Sequence, residues 1–388
     1  MHVALNCWFW DQPYTGSGQY VRHLADALAR TQSADVSLTL VMPPHIAQPQ
    51  GVPAGANVVH TSGPGGNPGK VWFEQRTFPA AAARAKADLA HVPYWGAPLS
   101  SPVPLIVSVL DVIPLAIPAY ASGFLPRLYT SLQTAAARGA AHIITISHAA
   151  KADIEQHLSL PADMITVTHL AADEAFHPRM GKERDEDVRK KYNLPDQFVL
   201  YIGGFDVRKQ VTQLISAYTY VAPALGEEAP LILAGRQPDW GSPLFPDIPA
   251  EIAEAKLGDL ITFIGPVDEA DKPSLMRLAD LFVFPSSYEG FGLPVLEAMA
   301  SGTPVVANDI PVIAEVSGDA AYLVEAGSSR KMAAAIIALS VDKTLRETQI
   351  SRALGQSTHF HWRKTAKETV AVYKQVFERA NPPSLSAS

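Results

Sequence analysis

The 388-residue chain has one cysteine, Cys7. That excludes an intrachain disulfide and a cysteine-based zinc site, fits a reducing compartment, and makes Cys7 a small buried hydrophobe of a strand. No run of 18 apolar residues occurs, so no span of a membrane is expected. The opening MHVALNCWFWDQP lacks a basic region and turns polar by Asp11, so it reads as a first β-strand and not as a signal peptide. Excess positive charge is also missing. A formal net charge of -7 leaves no surplus cation to neutralise phosphates in bulk, which argues against a nucleic-acid binder. What remains is ordinary for a globular protein, 47% hydrophobic and 18% charged, at a length that favours two domains.

Short apolar runs alternate with longer helical patterns. VALNCWFW (3–10), SLTLVM (37–42), LAHVPY (89–94), PLIVSVLD (104–111), HIITIS (142–147) and ITVTHL (165–170) read as strands. Val21, Leu24, Ala25 and Leu28 mark a helix after the first of them. Residues 171–191 are charged and poor in large apolar side chains, which suggests a boundary. A second series follows: FVLYIGG (198–204), PLILAG (230–235), ITFIG (261–265), LFVFPS (281–286), PVVAN (304–308) and AAYLVE (320–325). HWRKTAKETVAVYKQVFERA (361–380) is an amphipathic helix. The pattern predicts two parallel α/β domains, residues 1–175 and 176–360, with 361–388 as a C-terminal helical segment packing back on the first. Ligands of such sheets bind beyond the carboxyl ends of the strands.

Three stretches carry candidate chemistry. SSYEGFGLPVLEAMASGTPVV (286–306) sets Glu289 and Glu297 on either side of a glycine-rich turn. The expected helix covers about 294–301, with Pro294 in its first turn and Gly302 as its cap. Gly290 and Gly292 permit unusual dihedrals, and the free amides of 291–293 would face an anion. Carboxylates flanking an anion site suit sugar and ribose hydroxyls on either side of a diphosphate. In YIGGFDVRKQV (201–211), Arg208 and Lys209 follow a strand and would neutralise that diphosphate. In DQPYTGSGQYV (11–21), Gly16 and Gly18 form a weaker glycine loop. The DED at 185–187 sits among Lys182, Arg184, Arg189, Lys190 and Lys191 and reads as a solvated helix, not a metal motif. Trp8, Trp10, Tyr94 and Trp95 are either core residues or platforms for a sugar ring.

YEGFGLPVLEAMASGTPVV, with GGFDVRK some 80 residues upstream, resembles the retaining glycosyltransferases of family 4 and their E-x7-E motif. WFEQRTFP (72–79), ITISHAAKADI (144–154) and FHWRKTAKETVAVY (360–373) extend the resemblance over most of the chain. It implies the α/β GT-B fold, two facing Rossmann-like domains with a central cleft. It further implies a nucleotide-diphosphate sugar as donor, a glycan or lipid-linked saccharide as acceptor, retention of configuration, and no metal or other cofactor. By position, Glu289 matches the glutamate contacting the transferred sugar and Glu297 the one binding ribose. Phe291, Gly292 and Leu293 match the loop holding sugar and phosphate. Arg208 and Lys209 match the diphosphate clamp, with Gly204 beside them. Gly16 and Gly18 match the N-terminal glycine loop, and Val267 a nucleobase-side loop. Asp111 is the acceptor-side carboxylate, but Leu110 precedes it where many members have histidine. His91 and His148 are either residues that compensate or, the more ordinary reading, structural or surface histidines. The expected setting is cytoplasmic, with room for peripheral contact at the inner face of the membrane. A non-catalytic sugar-nucleotide or glycan-binding partner of the same fold, and a sugar-nucleotide epimerase, remain open alternatives.

Overall fold

The structure, a computed structural model, describes residues 1–31, 36–121 and 123–382. It separates into two compact units. Residues 1–170 and 361–388 make up one, and residues 171–360 the other.

The first unit is a seven-stranded sheet: β1 (His2–Asn6), β2 (Ser37–Met42), β3 (Asn57–His60), β4 (Leu89–Val92), β5 (Leu105–Ser108), β6 (His142–Thr145) and β7 (Ile165–Val167). The order is β3-β2-β1-β4-β5-β6-β7, and every pairing is parallel. β4, β5 and β6 are buried along their whole length, as expected of strands covered by helices on both faces. β1 stops at Asn6, earlier than its apolar run suggests. Cys7 still donates to Val41, but the chain then turns, with Trp10 N–H bonded to the Cys7 carbonyl. β3 has no strong signal in NVVH, because an edge strand half open to water needs no continuous apolar run.

The C-terminal helix Trp362–Ala380 belongs to this unit and packs on the helix Gly16–Arg30. The His23 and Trp362 rings stack at 5.0 Å. Tyr373 is buried and its hydroxyl meets His91 Nδ1 at 2.7 Å.

The second unit has six parallel strands: β8 (Val199–Ile202), β9 (Leu231–Ala234), β10 (Ile261–Gly265), β11 (Leu281–Phe284), β12 (Val305–Asn308) and β13 (Tyr322–Val324). Their order is β10-β9-β8-β11-β12-β13. β8 and β11 are neighbours, with Leu281 opposite Val199, although about 80 residues separate them in sequence. From this pair the chain builds outward in both directions, which opens a crevice at their carboxyl ends. Leu214, Tyr218, Leu231, Val283 and Ile336 pack one face of the sheet. Among the described residues, no helix is long and apolar enough to cross a membrane.

Candidate active site

Arg208 and Lys209 lie in the short 3-10 turn Val207–Lys209 that follows β8, and Glu289 lies in the loop that follows β11. The pairing of these two strands brings the three side chains together. Glu289 Oε1 is 2.6 Å from Lys209 Nζ, and Oε2 is 2.7 Å from Arg208 Nη1. Arg208 also donates to the Tyr288 carbonyl at 3.0 Å and stands 3.4 Å from Asp206. The Arg208 carbonyl in turn accepts from Ser287 N–H at 2.9 Å, tying the two loops. All three charged side chains are only 12–13% exposed. Burial acts to raise the Glu289 pKa, but Lys209 and Arg208 outweigh it and hold the carboxyl below its ordinary value.

Two cations near a helix start oppose the helix dipole. Here Glu289 and Asp206 balance them, so the cluster is close to neutral as it stands. Gln210, which caps the helix Val211–Leu225, takes a left-handed φ of 50°, and this backbone turn follows directly on the pair.

The helix after the loop is Leu293–Ala300, one residue earlier than expected, and Pro294 sits in its first turn. Gly292 precedes it at φ +92°, and a Cβ there would lie 2.4 Å from Ile313 Cδ1. The backbone angle favours glycine here, and a Cβ would also require the end of the Ile313 side chain to shift. Gly290 does not adopt a left-handed conformation; of the two loop glycines only Gly292 does. Gly302 takes φ +76° just past the helix. Phe291 is buried edge-on to Phe360 at 5.9 Å.

Glu297 lies on the buried side of this helix, 6% exposed. Burial pushes its pKa up to about 7; Lys272 opposes that shift, while Glu269 and Asp173 add to it. Lys272 and Glu269 come from the start of the helix Lys272–Leu278 and the turn before it, where they pair at 2.6 Å, and Asp173 comes from the stretch after β7; none of the three had a signal in the sequence. Asp206, by contrast, lies inside GGFDVRK. Gly204 follows β8, and its carbonyl accepts the Tyr201 hydroxyl. Val267 is half-buried in the loop after β10.

In the first unit, Gly16 and Gly18 open the helix Gly16–Arg30, which Thr15 caps by accepting from Gly18 N–H. A Cβ on Gly18 would lie 2.0 Å from the Gln12 carbonyl oxygen, so local packing alone demands this glycine; Gly16 has open space. Asp111 follows β5 and accepts from Ile113 N–H at 3.1 Å. His91 is a core residue. It lies between Tyr373 and Ser108, and burial lowers its pKa to about 3, so it is neutral. His148 is exposed at the start of the helix His148–Leu158. Trp8, Trp10 and Tyr94 are buried, which removes Trp8 and Trp10 as sugar platforms: Trp8 packs on Phe73, and Trp10 Nε1 donates to the Gln50 carbonyl. The DED triplet opens the helix Asp185–Lys191, and Asp185 is held by Arg277 at 2.6 Å rather than left solvated.

Two Rossmann-like parallel sheets with a cation–carboxylate cluster at a switch point define a GT-B glycosyltransferase fold. Comparison with known proteins agrees. Residues 15–171 match the family described as Glycosyl transferase 4-like domain, and residues 183–356 match Glycosyl transferases group 1. The chain belongs to the family 4-type glycosyltransferases. It is 34% identical over 234 residues to O-antigen chain mannosyltransferase B of Escherichia coli, a match covering 60% of each chain. It is 31% identical over 209 residues to the phosphatidyl-myo-inositol mannosyltransferase of Mycobacterium leprae (strain TN), covering 52% of this chain and 49% of that one. The chain thus spans about half to three fifths of the length of these curated relatives. Sucrose-phosphate synthase from Thermosynechococcus elongatus superposes with a TM-score of 0.77 at 22% identity, over 98% of this chain and 100% of that one.

Proposed function

We propose that this protein moves a hexose-type sugar from a nucleotide-diphosphate donor to a glycan or lipid-linked acceptor, with retention and without a metal ion. The observation that carries the reading is the Arg208–Lys209–Glu289 cluster at the carboxyl ends of β8 and β11. Two clustered cations suit a leaving diphosphate, and a carboxylate beside them suits the sugar attached to it. The names of the relatives support a mannosyl donor and an acceptor of the O-antigen or lipid-linked class. Peripheral contact at the inner membrane face belongs to the same proposal.

In this mechanism the bond between the anomeric carbon and the diphosphate oxygen breaks, and the electron pair leaves with the phosphate. Arg208 and Lys209 take up that charge. Glu289, released from them, faces the positive charge that develops on the sugar and orients its hydroxyls. The acceptor oxygen attacks on the departing face, and its proton passes to the leaving phosphate. Glu297 accepts from the ribose hydroxyls, Gly292 and Leu293 present backbone amides, and Val267 lies on the nucleobase side. Gly204 allows the close approach of the diphosphate. In the first unit, Asp111 is the acceptor-side carboxylate, with Gly16 and Gly18 as the glycine loop.

The test is nucleotide-diphosphate release from a panel of UDP-, GDP- and ADP-sugars in EDTA, for wild type and Glu289→Ala. Release from one donor, unaffected by EDTA and lost in the variant, is the expected result. Abolition by EDTA overturns the metal-free mechanism. Tight nucleotide binding without turnover favours the non-catalytic alternative, for which Leu110 is the motivating residue. Absence of any nucleotide binding overturns the proposal.

A further inference from the structure

Asn308 and Gln213 are polar residues with no role in the mechanism above, yet they are buried, 0% and 5% exposed. Asn308 is the last residue of β12, and Gln213 lies in the first turn of the helix Val211–Leu225. Their side-chain amides pair reciprocally. Gln213 Nε2 donates to Asn308 Oδ1 at 3.0 Å, and Asn308 Nδ2 donates to Gln213 Oε1 at 2.9 Å. Each amide also bonds to backbone. Asn308 Nδ2 donates to the Pro285 carbonyl, and Gln213 Oε1 accepts from Gly327 N–H at 3.3 Å.

These backbone partners fix both amide orientations, because a carbonyl needs a donor opposite it and an N–H needs an acceptor. A flip of Asn308 would set its oxygen against the Pro285 carbonyl. A flip of Gln213 would set its amino group against the Gly327 N–H. Filling the core does not require such a pair, since apolar side chains of the same shape replace a hydrogen-bonded pair at nearly no cost. What the amides add is direction.

The elements they join explain where that direction is used. β8, β11, β12 and β13 are four neighbouring strands. Ladder hydrogen bonds hold them up to their carboxyl ends, and beyond those ends the chain needs other ties. The amide pair reaches the helix after β8, Pro285 after β11, the end of β12, and Gly327 after β13. Two of these lead directly to the charged cluster. Arg208 and Lys209 lie in the turn just before the Gln213 helix, and Glu289 lies just beyond Pro285. Between Pro285 and Glu289, the buried Ser286 hydroxyl helps to lower the Glu289 pKa, and Ser287 N–H bonds to the Arg208 carbonyl at 2.9 Å. One amide pair thus grips the root of the cation turn and the root of the carboxylate loop.

We propose that Asn308 and Gln213 are positioning residues for glycosyl transfer, their amide pair setting the distance between the Arg208–Lys209 turn and the Glu289 loop. They touch neither donor nor acceptor and act through Glu289. The inference rests on the glycosyl-transfer reading for its consequence and on the second unit alone for its geometry. With the tie cut, the Glu289 loop loses a side-chain anchor to β12, and Glu289 gives up its cations more easily. A general loosening of the fold would weaken nucleotide binding. This one strengthens it, because the internal anion competes less well with a diphosphate.

The variants are Asn308→Ala and Gln213→Met. Tyr218→Phe is the control: it removes another buried bond of the same helix, Tyr218 Oη to the Ala229 carbonyl at 3.2 Å, at the opposite end of the sheet. The first readout is carboxyl NMR of isotope-labelled glutamate, with the Glu289 signal identified by its absence in Glu289→Gln. Arg208 and Lys209 face this carboxylate, with Asp206 beside Arg208. Its pKa, held below the ordinary value in wild type, should rise in Asn308→Ala and Gln213→Met and stay in place in Tyr218→Phe. The second readout is affinity for UDP, GDP and ADP by titration calorimetry. The two variants should bind the preferred nucleotide about threefold more tightly, part of the gain from removing the Glu289 charge altogether, and the difference should vanish in a Glu289→Gln background. Sugar transfer should fall about a hundredfold, the scale on which a displacement of about 1 Å acts. An unchanged Glu289 titration in both variants overturns the positioning role, as does nucleotide binding weakened equally with and without the Glu289 charge. Where Asn308→Ala does not fold, Gln213→Met, which keeps the length of the side chain, carries the test. Absence of nucleotide binding in wild type overturns the donor reading instead, and the Glu289 titration still decides the positioning role.

Discussion

In the free protein, Glu289 occupies the cations that the donor diphosphate needs. The substitution Glu289→Gln keeps the shape and removes the charge. Its carboxylate lies 2.6 Å from Lys209 and 2.7 Å from Arg208, so a bound phosphate on the same cations would sit within about 6 Å of it. Two unit charges at that separation repel by about 3 kcal/mol at an effective dielectric of 20 and by less than about 1 kcal/mol in water. With 12–13% of these side chains exposed, a value between the limits, about 1.4 kcal/mol, corresponds to a tenfold change in affinity. The variant should therefore bind its nucleoside diphosphate about tenfold more tightly than wild type while losing sugar transfer. The same change leaves two mostly buried cations underpaired and should cost roughly 2–4 kcal/mol of stability in the free protein. Because the folded pKa of Glu289 is depressed, its contribution is present above the unfolded value and fades as pH falls through the folded one. The melting-temperature gap between wild type and variant should accordingly narrow on acidification below about pH 4.5. Titration calorimetry with UDP, GDP and ADP at low and moderate salt, beside melting curves, reads all three effects. Nucleotide binding to Glu289→Gln that is equal to or weaker than wild type refutes the competition argument.

Glu297 has the opposite sign. Its folded pKa, about 7, lies above the unfolded value, so its unfavourable effect on stability grows as pH rises between the two. Melting curves of Glu297→Gln should equal wild type near pH 4 and exceed it by about 1–3 kcal/mol at pH 8; a pH-independent difference would sink the assignment. Tyr373→Phe removes the partner of His91 Nδ1 at 2.7 Å and should cost about 1–3 kcal/mol without altering nucleotide affinity, read by melting and calorimetry on the same preparation. A Cβ at Gly292 meets Ile313 Cδ1 at 2.4 Å and is strained at φ +92°. Gly292→Ala should thus cost about 1–3 kcal/mol and weaken nucleotide binding, and adding Ile313→Val should restore only the steric part. Full recovery in the double variant would show that the backbone angle carries no cost.

Strands buried on both faces were the most legible elements. SLTLVM matches β2 to the residue, because continuous β-branched and aliphatic runs are what a covered parallel sheet demands; ITFIG also matches β10 to the residue, although that edge strand buries only Ile261. Errors fell where tertiary contacts decide. The apolar run after Asn6 continues in sequence, yet the backbone turns there, and Trp8 and Trp10 fill core positions beside the strand instead of extending it. NVVH offered no signal because β3 is held by its pairing with β2 rather than by burial of its own side chains. Gly292 and Gly302 were readable as left-handed positions from their places beside a helix, while Gly290 carried the same letter without the same backbone.

The candidate site was legible as two separate halves. Arg208 and Lys209 look misplaced at a helix start, and Glu289 looks like a loop residue. Nothing local says that the two halves meet, because the information lies in strand order. β8 and β11 are adjacent only because the chain returns to the middle of its sheet after laying down β9 and β10. Once they are adjacent, the apparent misfit is resolved: each half supplies the charge that the other lacks. The first sheet repeats the topology, returning to the middle to set β4 beside β1. There the chain buries Glu74 among Tyr129, Gln133 and Lys70, at 3.2 Å and longer, and beside Tyr94. The cation–carboxylate cluster of the second sheet must exchange its internal anion for a ligand's phosphate before it can act on a donor.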